Sequence, residues 1–264
     1  MSNAEFLETA LKAAVSAGNL IEERHKDILN VSRKESLRDI VTHVDKLAEN
    51  QIIDILKDYD KNIPILTEES GFVQGNLEKT YWIVDALDGT VNYVNHIPFY
   101  AVSIALFVKN KITVGVIFNP YSNELYYGAD GLGVFKNQKS LKIIDKIPEE
   151  CLFSMAFSGK KYEAAKRVDE FMLFGKINDS SRGCLRTGSA AMNLAYLAEG
   201  KFGGCLGKAN KIWDVAAGLL LAKLAGSNVQ FKEVDKEKNL VNYIATIPKA
   251  WNLISSNIRG IYQV

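Results

Sequence analysis

Trp82-Ile83-Val84-Asp85-Ala86-Leu87-Asp88-Gly89-Thr90 is the stretch that decides what fold and chemistry to expect. Its apolar lead-in suits a buried strand, and Asp-Gly suits an abrupt end to that strand. The two carboxylates stand three residues apart at the tip, where they repel each other unless a cation lies between them. No histidine or cysteine stands beside them, and an all-oxygen donor set favours a hard ion such as magnesium. The amides after Gly89 are free to meet an anion, because glycine lets backbone approach a ligand closely. A metal together with a phosphate is the chemistry this stretch points to.

Outward from it, the flanking segments predict alternating elements. Upstream, residues 5–28 place Leu7, Leu11, Ala14, Gly18 and Ile21 on one face of a helix. A charged connector follows, residues 32–38. Thr42 and Asp45 have capping-box spacing, and Leu47, Ile52, Ile55 and Leu56 continue a second helix. Residues 63–66 form a short strand that ends at Glu68-Glu69-Ser70-Gly71. Downstream, residues 101–108, 112–118 and 124–127 read as an antiparallel meander, with a hairpin-like segment at 131–139. Polarity rises near residues 146–150, and the expected division is residues 1–147 and 148–264. In the second part, strands are expected at 152–157, 202–206, 228–231 and 243–246. Helices are expected at 162–174, 189–199, 213–224 and 251–258. Such alternation argues for an α/β layer.

The composition narrows the classes. With 264 residues, 47% of them hydrophobic, the chain builds a sizeable core. A formal net charge of +1 offers no field for nucleic acid or anionic membrane. No apolar run reaches spanning length, and the first residues read as an amphipathic helix rather than a signal core. A cytoplasmic protein, with no nucleic-acid or membrane partner, is expected. The three cysteines, Cys151, Cys184 and Cys205, are odd in number and far apart. They suit neither a zinc site nor a disulfide framework and read as buried filler.

Four segments place acids or anion binders at element ends: Glu68-Glu69, Asp85 with Asp88, Gly188-Ser189, and Asp214. Each has a plainer explanation. Asp214 sits where a helix dipole favours an acid. Glu68-Glu69 suits a solvated loop, and Asp-Gly suits any turn. Ser189 suits an ordinary helix cap as well as an anion site. The strand tip is the strongest signal, because a buried acid needs a partner.

Taken in order, Glu68-Glu69-Ser70, Asp85-Ala86-Leu87-Asp88-Gly89-Thr90 and Trp213-Asp214-Val215-Ala216-Ala217-Gly218 resemble the inositol monophosphatase family. Arg186-Thr187-Gly188-Ser189-Ala190-Ala191 and Asp39-Ile40-Val41-Thr42-His43-Val44-Asp45 fall where that family places matching segments. The resemblance covers nearly the whole chain. It implies a layered αβαβα sandwich of the sugar phosphatase type and magnesium-dependent hydrolysis of a small phosphate monoester, inositol monophosphate first. It implies two magnesium ions, with a third bound loosely, held by Glu68, Asp85, Asp88, Asp214 and the Leu87 carbonyl. Glu68 and Thr90 would position the attacking water, and Asp45 would hold the Thr90 hydroxyl. Phosphate would rest on the Gly89 and Thr90 amides, with substrate hydroxyls at Asp88, Ser189, Ala190 and Asp214. Lys34 would stand near the loose third ion, and Glu69 would support the site from behind. Lithium sensitivity and a homodimer are implied by resemblance alone.

Two departures stand out. Ala86 replaces the proline usual after the first aspartate, which loosens the turn without removing a ligand. Residues 207–211, Gly207-Lys208-Ala209-Asn210-Lys211, lack the acid that inositol-selective members tend to carry before Trp-Asp. Weaker inositol selectivity follows, so fructose 1,6-bisphosphate, 3′-phosphoadenosine 5′-phosphate or NADP enter as alternative substrates. A haloacid-dehalogenase-type phosphatase is disfavoured, since its nucleophilic aspartate would fall at Ala86. A non-catalytic protein-binding role on the same fold is the remaining alternative.

Overall fold

Ser2 and Glu5 close a capping box that starts the first helix, α1 (Asn3–Glu23). A short ribbon follows, β1 (Val31–Arg33) antiparallel to β2 (Ile40–Thr42), then α2 (His43–Tyr59). This computed structural model describes residues 2–25, 31–33, 40–73, 80–109, 111–157 and 168–257.

The first sheet takes its strands from β3 (Ile65–Thr67), β4 (Phe72–Val73), β5 (Thr80–Asp88), β6 (Ala101–Val108), β7 (Lys111–Asn119), β8 (Glu124–Ala129), β9 (Gly133–Lys136) and β10 (Lys139–Ser140). Their order is β10-β9-β8-β7-β6-β5-β3-β4. A one-turn helix, α3 (Thr90–Val94), follows β5. The second sheet has the order β12-β11-β13-β15-β14. Its strands are β11 (Leu152–Ala156), β12 (Gly183–Leu185), β13 (Phe202–Lys211), β14 (Asn228–Asp235) and β15 (Leu240–Thr246). Helices α4 (Val168–Asp179), α5 (Ala190–Ala198), α6 (Ile212–Ala225) and α7 (Trp251–Asn257) alternate with them.

The two-residue period of a strand sorts the first sheet's side chains. On β6, Val102, Ile104 and Leu106 join the core under α1 and α2, whereas Ala101 and Ala105 join the core around α5 and α6. On β5, Trp82 and Val84 go to the first core and Ile83 to the second. Helices α5 and α6 thus lie between the two sheets, and α4 and α7 pack on each other beyond β11 and β12. The result is the αβαβα sandwich that the sequence resemblance implied. A largely apolar α6 is what a helix buried between two sheets requires.

The sheet and α6 meet closely at Gly115. A Cβ there would stand 2.9 Å from the Ala217 carbonyl oxygen and 3.2 Å from its Cα. Both are backbone, so no side chain is able to swing aside. Gly115→Ala is expected to lower unfolding free energy by about 1–3 kcal/mol, read as a lower urea midpoint with unchanged slope.

The meander is as expected, with β6 at the expected bounds. Several other strands run longer than their apolar runs, as in β13, whose half-buried last four residues include Lys208, Asn210 and Lys211; β3 and β11 are shorter than expected. The first helix ends at Glu23 rather than near residue 28, and residues 26–30 lie outside the described ones. Only residues 168–174 of the helix expected at 162–174 are described; α4 then continues to Asp179. The short strand β12 was not foreseen. The buried face of α2 is Val44, Ala48, Ile52, Ile53 and Leu56, with Leu47 and Ile55 only partly buried. That stripe is rotated from the expected one because Asp45 and Glu49 are buried beside it. All three cysteines are buried and free, and burial pushes the Cys184 and Cys205 thiols up to about 12. No helix among the described residues is long and apolar enough to cross a membrane.

Candidate metal and phosphate site

Strand alternation turns Asp85 onto the same face as Ile83, toward α6. A regular strand would then send Asp88, three residues on, to the opposite face. The pairing shows why it does not. Asp85 pairs with Ser103 but Asp88 with Ala101, so three residues on β5 span two on β6. That extra residue is a β-bulge, which re-aims the side chains beyond it. Ala86 and Leu87 are buried in the core under α1 and α2, and the Asp85 carboxylate accepts the Leu87 amide at 2.9 Å. Gly89 then turns the chain with φ +93, and a Cβ there would meet the Phe99 carbonyl oxygen at 3.1 Å. Only glycine fits both constraints.

Asp214 arrives in the first turn of α6, which is tied to β6 by the Ser103 hydroxyl donating to the Trp213 carbonyl at 3.1 Å. Glu68 arrives from the turn after β3. Ligand oxygens of Glu68, Asp85 and Asp214 lie within 4.8 Å of one another. Burial, then Glu68, Asp88 and Asp214, push the Asp85 carboxyl well above the ordinary carboxylate value. Burial, then Asp88 and Glu68, do the same to Asp214. A group of acids that disfavours its own ionisation is built for a cation, and its all-oxygen chemistry fits magnesium or another hard divalent ion.

Asp88 stands differently. Its Oδ2 accepts the Ser189 hydroxyl at 2.5 Å and the Ala191 amide at 2.7 Å, so it caps α5. Burial, opposed by these hydrogen bonds, raises its carboxyl to about 7. It lies outside the group of three ligand atoms but acts on it by charge. Ser189 is also the N-cap of α5, accepting the Met192 amide at 3.2 Å. Ser189 is thus the helix cap expected of it, and its hydroxyl also donates to Asp88.

The Thr90 hydroxyl lies 3.0 Å from the Asp45 carboxylate and 3.0 Å from the Leu87 carbonyl oxygen. It has one proton for these two acceptors. Asp45, in the first turn of α2, is therefore bonded to the residue that follows Gly89; the Thr42 side chain lies outside the described residues. Glu69 turns its amide toward the buried Glu49 carboxylate at 2.9 Å. Lys34 lies outside the described residues. Glu49 was not foreseen. Its position four residues after Asp45 on α2 is the only signal that marks it.

A cavity of about 140 Å³ opens beside these acids, lined among others by Asp88, Arg186, Ser189, Ala190, Asn210 and Asp214. Of residues 207–211, Asn210 lines the cavity. A second bulge, between Gly207 and Asn210 on β13, turns its side chain against Gly207, where a Cβ would clash with the Asn210 Oδ1 and the Tyr243 ring. The segment that lacks an acid in sequence thus offers the cavity an amide. Lys211 does not add its charge freely, since its ammonium donates to the Lys238 carbonyl at 2.9 Å and lies over the Trp213 ring.

Comparison with known proteins agrees with this geometry. The model of the inositol monophosphatase family matches residues 2–244. The Nus factor SuhB of Escherichia coli strain K12 is 34% identical over 258 residues, 96% of each chain. A fructose-1,6-bisphosphatase/inositol-1-monophosphatase of Aquifex aeolicus is 32% identical over 225 residues, 84% of each chain. The solved inositol monophosphatase of Anabaena (Nostoc) sp. PCC 7120 superposes with a TM-score of 0.83 at 30% identity, covering 96% of this chain and 95% of its own.

Proposed function

The chain belongs to the inositol monophosphatase family, and from that premise we propose that it is a magnesium-dependent phosphoric monoester hydrolase acting on a small phosphorylated polyol, inositol monophosphate first. The observation that carries this proposal is the convergence of Glu68, Asp85 and Asp214 oxygens within 4.8 Å, from three separate segments, beside a polar cavity. These carboxylates and the Leu87 carbonyl would hold the ions, with Asp88 adding its charge. When bound, the ions supply positive charge to the phosphate oxygens and acidify water.

The chain's own groups do the rest. With the Thr90 proton directed to Asp45, the Thr90 oxygen is left to accept a hydrogen bond from water, and the Leu87 carbonyl is left free for an ion. Glu68 accepts the one proton that this water gives up as its oxygen attacks phosphorus. The Gly89 and Thr90 amides receive phosphate oxygens. A new P–O bond forms to water as the ester P–O bond breaks, releasing inorganic phosphate and an alcohol. Asp214 orients the water that returns a proton to the leaving oxygen. Asp88, Ser189 and Ala190 line the place of the polyol. No covalent phosphoenzyme is needed.

A second reading has its own support. Residues 207–211 carry no acid, and the Aquifex relative carries a bisphosphatase name. We therefore keep fructose 1,6-bisphosphate, 3′-phosphoadenosine 5′-phosphate and NADP as competing substrates. A cytoplasmic homodimer, divided at residues 147 and 148 with the site in the cleft, completes the proposal. Phosphate release from inositol 1-phosphate and these three compounds, with magnesium and with EDTA, tests it. Turnover that EDTA abolishes is expected, and the ranking identifies the substrate class. No turnover of any of them with magnesium would count against an enzymatic role.

A further inference from the structure

Three of the site's acids stand on elements held along their length. Asp85 and Asp88 end β5, which pairs with β3 and β6, and Asp214 opens α6 between the two sheets. Glu68 stands just past the end of β3, whose last residue Thr67 pairs with Val84 beside Asp85. It begins the turn between β3 and β4, and β4 is a two-residue edge strand. The turn closes on itself: the Thr67 amide and hydroxyl donate to the Gly71 carbonyl at 2.8 Å and 3.2 Å. Those bonds shape the turn, and the pairing of β3 with β5 fixes where it leaves the sheet.

Glu49, on α2, adds a second anchor, at the far end of the turn. One of its carboxylate oxygens accepts the Glu69 amide at 2.9 Å; the other accepts the Ser70 amide at 2.9 Å and the Ser70 hydroxyl at 2.5 Å. Its side chain belongs to a residue only 1% exposed. Among the described residues no lysine, arginine or histidine pairs with it. A carboxylate buried without a counter-charge is unfavourable unless donors surround it, and all three donors here come from the turn that begins with Glu68. Asp45 lies one turn earlier on the same helix face and accepts the Thr90 hydroxyl. The two acids are four residues apart, about 6 Å along the helix axis.

We infer that Glu49 is a positioning residue for the cation site. It secures the position that β3 gives Glu68 relative to Asp85 and Asp214. With Asp45 it makes α2 the spacer between the Glu68 turn and Thr90, the two groups that would hold the attacking water. The inference rests on the proposed metal chemistry. Glutamine is the sharp probe, because the turn presents only donors to this side chain. A carboxylate accepts from all of them through both oxygens, whereas glutamine sets an N–H₂ against an amide N–H or the hydroxyl. The side chain keeps its size, and the turn loses one of its two anchors.

Calorimetric titration of the full chain with Mg²⁺, for wild type, Glu49→Gln and Ser70→Ala, tests this. The Mg²⁺ dissociation constant is expected to rise about 10- to 100-fold in Glu49→Gln, the effect of losing an outer partner of a ligand, and by less in Ser70→Ala. Saturating Mg²⁺ should restore most of kcat, since Glu49 touches no substrate. A Glu49→Gln protein that melts cooperatively in EDTA yet binds Mg²⁺ within about twofold of wild type would overturn the inference. If Glu49→Gln does not fold, Ser70→Ala decides: a weakened Mg²⁺ affinity supports the anchor and an unchanged one removes it. Wild type that binds no Mg²⁺ would overturn the parent proposal and this inference together. Wild-type binding with unaltered variants overturns this inference alone.

Discussion

Asp85→Asn is expected to abolish hydrolysis while raising the melting temperature of the metal-free protein. Asparagine keeps the oxygen that accepts the Leu87 amide at 2.9 Å, so the turn is preserved. It removes one charge from a buried group that Glu68, Asp88 and Asp214 already load with negative charge. A fall in kcat/KM of about 10³-fold or more is expected, the scale of losing a preorganised charge at the reacting group. The stability effect has a defined sign. Folding raises the Asp85 carboxyl above its ordinary value of 3.8, so as pH rises past that value the unfolded chain gives up this proton first. The metal-free native state therefore loses stability as pH climbs toward neutrality. Asp88, raised to about 7, acts in the same direction. Melting curves in EDTA should nearly coincide for wild type and Asp85→Asn near pH 4, then separate upward with the variant the more stable. A variant less stable at pH 7, or one that still turns over substrate, would contradict the account. The same variant separates enzyme from binding protein: a non-catalytic protein-binding role would survive it.

Thr90→Val is expected to lower kcat by about 10²-fold or more, within the range for groups that manage proton transfer, with little change in KM. Valine has the shape of threonine but no hydroxyl. The Asp45 and Leu87 oxygens each lose a neighbour at 3.0 Å, and water loses its acceptor. Asp45 is 3% exposed, and losing one hydrogen bond to a buried carboxylate costs about 1.5–3 kcal/mol, so a lower urea midpoint should accompany the loss. Thr90→Ser, which keeps the hydroxyl, should recover most of kcat. Equal loss in serine and valine variants would show that the methyl group, not the hydroxyl, matters.

Much of this site was legible because its residues sit at element ends that composition marks. The run from Trp82 ends in Asp-Gly, and the β6 run is apolar but for Ser103, so strand and turn followed directly. Asp214 was placed by helix periodicity. The β-bulge between Asp85 and Asp88 was not legible, since register depends on the partner strand and no residue type announces it. Glu49 was hidden for a related reason. A glutamate on an amphipathic helix normally reads as solvated surface, and its partners lie 20 and 21 residues away. The contact of Asn210 and Tyr243 with Gly207 depends on a second bulge and on β15, and was equally out of reach.

Anomalous diffraction from crystals soaked in Mn²⁺, a visible substitute for Mg²⁺, tests the central claim most directly. The expected result is a strong peak enclosed by the Glu68, Asp85 and Asp214 carboxylates. Separated carboxylates with no peak among them, at Mn²⁺ concentrations that saturate ordinary hydrolases, would contradict it.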